Sequence, residues 1–386
     1  MRRRIVITAL AMAAWAGAEE PVAPGREPGP GPSGAVDRWL TQMDRDEDGK
    51  LAKAEAAGMM ARFFERNDAD QSGFLEKDEL AALARRLEER GGPARQRKPA
   101  GRQGGLSTSQ LLKDAPDDVK VVPDLSYREG GSKRWKLDLI MPRENGDAPR
   151  PGIVFVHGGG WRSGDKRVRT FLDGAIDYAR KGYVCITVNY RLTGEAPFPA
   201  CVEDVKNAVR WFRAHAETYN LDPDRIGAYG NSAGAHLVAM LGLAGKEAGL
   251  EGDGPHQDQS SLVQAVCASA TPTDFNLFGG GRSMNRPGAF LAGPEDGLEE
   301  RIRLASPISH VREDAPPFLL VHGTKDSTVK VEHSDKFAAA LKAAGAKDVT
   351  YLRIEGAGHG VFNQHKAKTA PAMETFFERT LGTAGR

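Results

Sequence analysis

Arg225-Ile226-Gly227-Ala228-Tyr229-Gly230-Asn231-Ser232-Ala233-Gly234-Ala235-His236-Leu237-Val238 is the stretch whose reading decides how this chain folds. Arg225 to Tyr229 reads as a short apolar strand and Ser232 to Leu243 as an apolar helix. Between them stands Gly230-x-Ser232-x-Gly234, with two glycines that let a strand reverse sharply into a helix. Such a turn lifts the serine hydroxyl above the sheet edge and sets the helix N-terminus, with its free N–H groups, beside it.

Working outward, short apolar strands alternate with amphipathic helices from about Leu106 onward. The strands are expected at 119–122, 136–141, 152–156, 183–189, 225–229, 263–269, 317–322 and 349–354, and helices at 202–215, 232–243, 334–344 and 369–380. The alternation implies an α/β fold, a mostly parallel eight-stranded sheet with helices on both faces and ligands bound at the carboxyl ends of the strands.

Three further features cluster around the serine in this scheme. His157-Gly158-Gly159-Gly160-Trp161 ends an earlier strand, and its glycines free backbone N–H groups to face an oxyanion. His359, in Gly356-Ala357-Gly358-His359-Gly360, follows the last strand and supplies an imidazole, the side chain that exchanges protons most readily near neutrality. Asp326, in His322-Gly323-Thr324-Lys325-Asp326-Ser327, follows the strand before it and would orient that imidazole, with Asp274 as its rival. His236 and His322 read as structural, and His365 falls one helix too late.

On these motifs, together with Gly164-Asp165-Lys166, Asn189-Tyr190-Arg191-Leu192, Phe198-Pro199 and Asp204, the region from Val119 to Leu381 resembles the α/β-hydrolase superfamily. Within it, the resemblance is to HGGG-type bacterial carboxylesterases and lipases, a group that includes acetyl-xylan and feruloyl esterase-like enzymes. The resemblance implies a serine esterase with a Ser232–His359–Asp326 triad. It also implies an oxyanion hole of Gly159, Gly160 and Ala233, with Gly158 as the alternative to Gly160. Asp204 and Trp211 read as packing residues, and Trp161 as a wall. Phe275, Phe278 and Phe290 are candidates for an acyl pocket, and the interrupting segments 245–262 and 275–315 read equally as a small cap or as packed surface loops. An amidase or peptidase using the same triad is the alternative. A non-catalytic binding protein would lack a triad member, and none is missing.

The first hundred residues differ in character. Arg2, Arg3 and Arg4, an apolar run from Ile5 to Ala16 and the small residues Ala16-Gly17-Ala18 read as a signal peptide over 1–18, hence a secreted or periplasmic protein; an uncleaved anchor is the alternative. Linkers rich in Pro and Gly (19–34) and in Gly, Arg and Lys (91–105) bracket a helical module at 35–90, and 106–386 form the catalytic domain. In the module, Asp44, Asp46, Asp48 and Glu55 place oxygens at loop positions one, three, five and twelve. Gly49 takes position six, and Lys50 offers a carbonyl. Asp68, Asp70, Ser72, Gly73, Phe74 and Glu79 repeat the pattern, with Glu76 in reach, and Leu51 and Leu75 are placed to pair the loops. Val36, Trp39, Leu40, Met43, Met59, Met60, Phe63, Phe64, Leu80, Leu83 and Leu87 line the flanking helices. This part resembles an EF-hand pair binding Ca2+, made compact by one helix shared between the loops. In that it is similar to dockerin-like modules, which anchor enzymes to protein partners. Calcium would belong to this module alone, and the hydrolase chemistry would need no cofactor.

With 53 basic and 52 acidic side chains, the chain has no global field to attract nucleic acid or a membrane surface, and no segment after the leader is apolar enough to span. Cys185 and Cys267 on strands and Cys201 at a helix start read as core thiols.

Overall fold

In a computed structural model, residues 32–46, 48–56, 64–65, 67–68, 70–90, 106–144, 146–278 and 288–382 are described. The expected signal peptide, most of both linkers, Met59, Met60, Phe63 and Gly279-Gly280-Gly281 lie outside them. The chain divides into two compact units at residues 100/101.

The first unit has a helix at Pro32–Met43, strands β1 (Leu51–Ala52) and β2 (Phe74–Leu75), and a helix at Lys77–Arg90. The first helix thus begins inside the stretch read as linker. β1 and β2 pair antiparallel, Leu51 opposite Leu75, and both leucines are fully buried with Val36, Phe64, Leu80 and Ala84. The module is therefore not purely helical: its two loops meet through a two-stranded bridge.

The second unit is built on one sheet. Its strands are β3 (Val119–Ser126), β4 (Lys136–Pro142), β5 (Arg150–Val156), β6 (Val184–Val188), β7 (Leu221–Asn231), β8 (Ala265–Ser269), β9 (Phe318–Gly323) and β10 (Val349–Ile354). They lie in the order β10-β9-β8-β7-β5-β6-β4-β3. All neighbours from β10 to β6 run parallel, and β4 lies antiparallel to both β6 and β3. This is the mostly parallel eight-stranded sheet expected. Alternation along β5 assigns the two faces: Val154 and Val156 pack toward the core under the helices Ala200–Ala214 and Ala233–Leu243, while Ile153 and Phe155 face the helices Arg169–Arg180 and Lys366–Leu381. From β5 the chain goes first to β6 on one side and then to β7 on the other. The carboxyl ends of β5 and β7 are thus the topological switch point, where a crevice opens.

Of the two interrupting segments, 245–262 is a packed loop. Glu251 reaches back to the buried Lys206 (2.7 Å) and Arg210 (2.5 Å) on the helix Ala200–Ala214. The second segment instead sends Phe290 into the wall of a cavity described below. The three cysteines are free and buried, as core thiols should be. Among the described residues no helix is long and apolar enough to cross a membrane.

Candidate active site

Val156 pairs with Gly230 in the sheet, so the two chains leave it side by side, one into His157-Gly158-Gly159 and the other into Asn231-Ser232. Ser232 takes φ 55° and ψ −122°, a strained backbone for a residue with a side chain. Close contact holds it there: a Cβ on Gly230 would come within 2.3 Å of Gly234 O, and one on Gly234 within 2.1 Å of Val156 O. Only glycine allows strand and helix to approach this closely.

Asp326 follows β9 and His359 follows β10, both at the same sheet edge as Ser232. Ser232 Oγ lies 3.0 Å from His359 Nε2, and His359 Nδ1 lies 2.7 Å from Asp326 Oδ2. The carboxylate can only accept, so Nδ1–H donates to it and leaves the Nε2 lone pair to take the serine proton. The other oxygen, Asp326 Oδ1, accepts the N–H groups of Thr328 (2.8 Å) and Val329 (2.9 Å). Burial alone would raise the Asp326 pKa; hydrogen bonds from His322, His359 and the Val329 N–H outweigh it and hold the carboxyl well below the usual range. Asp274, the rival, instead accepts the Asn276 N–H (3.0 Å) beside the short helix Phe275–Phe278.

His322 has more to do here than its place at a strand end suggests. Fully buried, it sets Nε2 3.3 Å from Asp326 Oδ2 and 3.0 Å from Val329 O. Both are acceptors, so Nε2 carries the proton, and Nδ1, 2.7 Å from Ser334 Oγ, accepts that hydroxyl. Asp326 is therefore clamped between two histidines. Sequence reasoning missed this; the only signal was the i, i+4 spacing of His322 and Asp326 across the turn after β9.

Gly159 and Gly160 sit in left-handed conformations (φ 116° and 61°), and a Cβ on Gly159 would meet Ser163 O at 2.0 Å. Ala233 is the first residue of its helix, where N–H groups have no intrahelical partner. The glycine loop is held from below: Tyr190 stacks on His157 at 4.4 Å and donates its hydroxyl to His157 O (2.8 Å), and Asn189 Oδ1 accepts the Lys166 N–H (2.7 Å). Asp204, buried, accepts from Trp135 Nε1 (2.9 Å) and Arg191 (2.8 Å), in keeping with a packing role.

Ser232 opens into a cavity of about 280 Å3. Trp161, Phe278 and Phe290 form its apolar wall, and Ser327, Thr328 and Val329 another side. Trp161 stacks on Phe290 at 4.3 Å, and Phe275 stacks behind it at 5.3 Å from Phe290. Trp161 Nε1–H donates to His236 Nδ1 (3.2 Å), whose Nε2–H donates to Ala305 O (2.8 Å). Burial pushes His236 down to about 4, so it stays neutral and fixes the indole as a rigid wall.

In the first unit, carboxylate oxygens of Asp44, Asp46 and Glu55 lie within 4.8 Å of one another, and so do those of Asp68, Asp70 and Glu79. Asp48 is not in the first cluster and accepts the Lys50 N–H (3.1 Å) instead. Ser72 donates its hydroxyl to Phe74 O (3.2 Å). Gly49 (φ 81°) and Gly73 (φ 85°) donate N–H to Asp44 and Asp68 at 2.9 and 3.0 Å, so the two loops turn alike. Asp44 Oδ1 is buried with no hydrogen-bond partner.

The sheet and the Ser–His–Asp line at its switch point define an α/β-hydrolase of the kind found in esterases. The chain belongs to the BD-FAE family, which it matches over residues 137–341, just over half its length. It is similar to Esterase LipC of Mycobacterium tuberculosis, 32% identical over 243 residues. That match covers 61% of this chain and 59% of LipC, so the chain spans under two thirds of this relative's length. Among solved structures it resembles a truncated carbohydrate esterase from gut microbiota (27% identity, TM-score 0.62, covering 69% of this chain and 98% of that one). It also resembles esterase 2 of Thermogutta terrifontis (28% identity, TM-score 0.57, covering 70% and 97%), solved with propionate bound. The same enzyme phosphonylated by sarin gives 29% identity and a TM-score of 0.58, covering 71% and 98%.

Proposed function

We propose that this protein hydrolyses short-chain carboxylic esters through a Ser232 acyl-enzyme. The observation that carries the reading is the unbroken hydrogen-bonded line from Ser232 Oγ through His359 to Asp326 at the mouth of an apolar cavity. His359 Nε2 takes the Ser232 proton as Oγ attacks the ester carbonyl, and the oxyanion accepts N–H groups of Gly159, Gly160 and Ala233. The imidazolium, stabilised by Asp326, returns its proton to the leaving alcohol oxygen as the C–O bond breaks. Water then gives a proton to His359 and its hydroxyl to the acyl carbon, which releases the acid and restores Ser232. A cavity of about 280 Å3 is at the small end for ligand sites and suits short acyl groups. The propionate-bound relative supports this acyl size, and the gut carbohydrate esterase supports a sugar ester as the natural substrate.

The first unit would bind calcium. Its donors are all oxygens, the hard ligands calcium prefers, and the orphaned Asp44 Oδ1 calls for a cation. Asp44, Asp46, Asp48, Lys50 and Glu55 would hold one ion, and Asp68, Asp70, Ser72, Phe74 and Glu79 a second. The resemblance of its closely spaced loops to dockerin-like modules supports a protein anchor as this unit's partner, and the basic start and apolar run at residues 2–18, read as a signal peptide, support export.

A p-nitrophenyl ester series from acetate to decanoate tests the enzymatic reading. Activity peaking at acetate or butyrate and vanishing in Ser232→Ala is the expected result. Equal activity in the Ser232→Ala protein would overturn the mechanism, and turnover of anilides in preference to esters would move the reading to an amidase.

A further inference from the structure

We propose that Arg162 makes this a hydrolase of anionic esters, whose substrate carries a carboxylate beside the scissile bond. The inference rests on the esterase reading and deepens it by naming a substrate class. Arg162 lines the Ser232 cavity and is the one charged side chain among its described lining residues. No carboxylate faces it there. Every other described arginine from Leu106 to Gly382 forms an ion pair with a carboxylate or donates to a backbone carbonyl. The Arg162 guanidinium alone among them makes neither a hydrogen bond nor an ion pair with a described residue. The Arg162 side chain is solvent-exposed at the lip of the cavity holding the reactive serine, where an anionic group of a substrate can pair with it without displacing a protein partner.

The backbone fixes the turn that carries Arg162. The Arg162 and Ser163 N–H groups both donate to Gly159 O (3.3 and 3.1 Å), which closes the turn that presents Arg162. Its neighbour Trp161 is buried and stacked on Phe290, so the residue before Arg162 cannot slide. The Arg162 Nε lies 3.7 Å from where a Cβ on Gly160 would be, beside the loop proposed to hold the oxyanion. A planar fork of N–H donors in that place matches a carboxylate through two parallel hydrogen bonds, which a lysine would not offer. The remaining wall of Trp161, Phe278 and Phe290 takes the uncharged part of the substrate. An acidic sugar ester or a dicarboxylic hemiester has the required chemistry.

The test uses two matched pairs, because the anion can stand on either side of the ester. For the acyl side the pair is p-nitrophenyl hemisuccinate and its methyl ester; for the alcohol side, 4-carboxyphenyl acetate and 4-carbamoylphenyl acetate. Each is assayed at low salt and at high salt. In at least one pair the wild-type kcat/KM should favour the anionic member by about fivefold, the reach of a part-exposed ion pair. That ratio should fall to about one in Arg162→Gln, invert in Arg162→Glu and shrink with salt in the wild type. No anion preference in either wild-type pair, or a ratio unchanged in Arg162→Gln, would overturn the proposal. An equal fall of both members in that variant leaves the ratio unchanged and counts against it in the same way. Loss of the neutral members' turnover in Ser232→Ala upholds the esterase reading whatever the ratios are, so the two can fail separately.

Discussion

Asp326 gives one oxygen to two backbone N–H groups and the other to two imidazoles, His359 at 2.7 Å and His322 at 3.3 Å. The first histidine needs the carboxylate to keep its Nδ1 protonated; the second keeps the carboxylate where it is. Asp326→Asn should therefore cut kcat by about 10⁴, because the imidazole can then present the wrong nitrogen to Ser232. His322→Gln should have a smaller effect, about tenfold in kcat with KM nearly unchanged, since it loosens only the group that orients the base. Steady-state kinetics on a single aryl ester separates the two, and a His322→Gln enzyme with wild-type kcat would remove His322 from the account. Ser232, Asp326 and His359 were legible in the sequence because each stands in a glycine-marked turn after a strand, in the chain order such folds use. The His322–Asp326 contact was not legible, because it depends on how the turn after β9 folds back on itself.

Among the elements, the join of β7 to the helix Ala233–Leu243 is the most constrained. Gly230→Ala or Gly234→Ala would push a methyl to within 2.3 or 2.1 Å of a backbone oxygen, so either should lose most activity and lower the melting temperature, as thermal unfolding would report. The eight strands were readable from short apolar runs, yet the helix Arg169–Arg180 was not foreseen. Phe171, Leu172, Ala175, Tyr178 and Ala179 give it a buried stripe, but Gly174 lowers its helix propensity. The glycine is there for packing: a Cβ would stand 3.1 Å from the Phe155 ring. The loop 245–262 could not be assigned from sequence, since Lys206, Arg210 and Glu251 meet across more than forty residues; Phe278 and Phe290, both acyl-pocket candidates in the sequence, do line the cavity, while Phe275 stands behind them. For the calcium loops, EGTA should lower the thermal stability of the first unit while leaving ester turnover unchanged. A parallel loss of activity would contradict the assignment of calcium to that unit alone.

At the scale of the whole molecule, acid should unfold this protein in two stages. Burial pushes His157, His236 and His333 down to about 4. Their unfolded counterparts take up protons near 6.5, so the neutral rings favour the fold above that pH. Their contribution is lost as pH falls from about 6.5 to about 4, on the order of 3 kcal/mol for a fully buried ring. Asp124, Asp165 and Asp326 have folded pKa values below the ordinary carboxylate range. Their contribution is present above the unfolded value near 3.8 and is lost only below it. Unfolding free energy measured against pH should therefore fall first between 6.5 and 4 and again below that; a flat curve from pH 7 to 4.5 would mean that the buried histidines are not buried in solution.

Esterase chemistry at Ser232 is tested most directly by reaction with an aryl organophosphate, followed by intact-mass and peptide mass spectrometry. One phosphoryl group per chain, mapped to Ser232 and formed in step with loss of ester turnover, is the result expected. Modification elsewhere, or full turnover in the labelled protein, would contradict it.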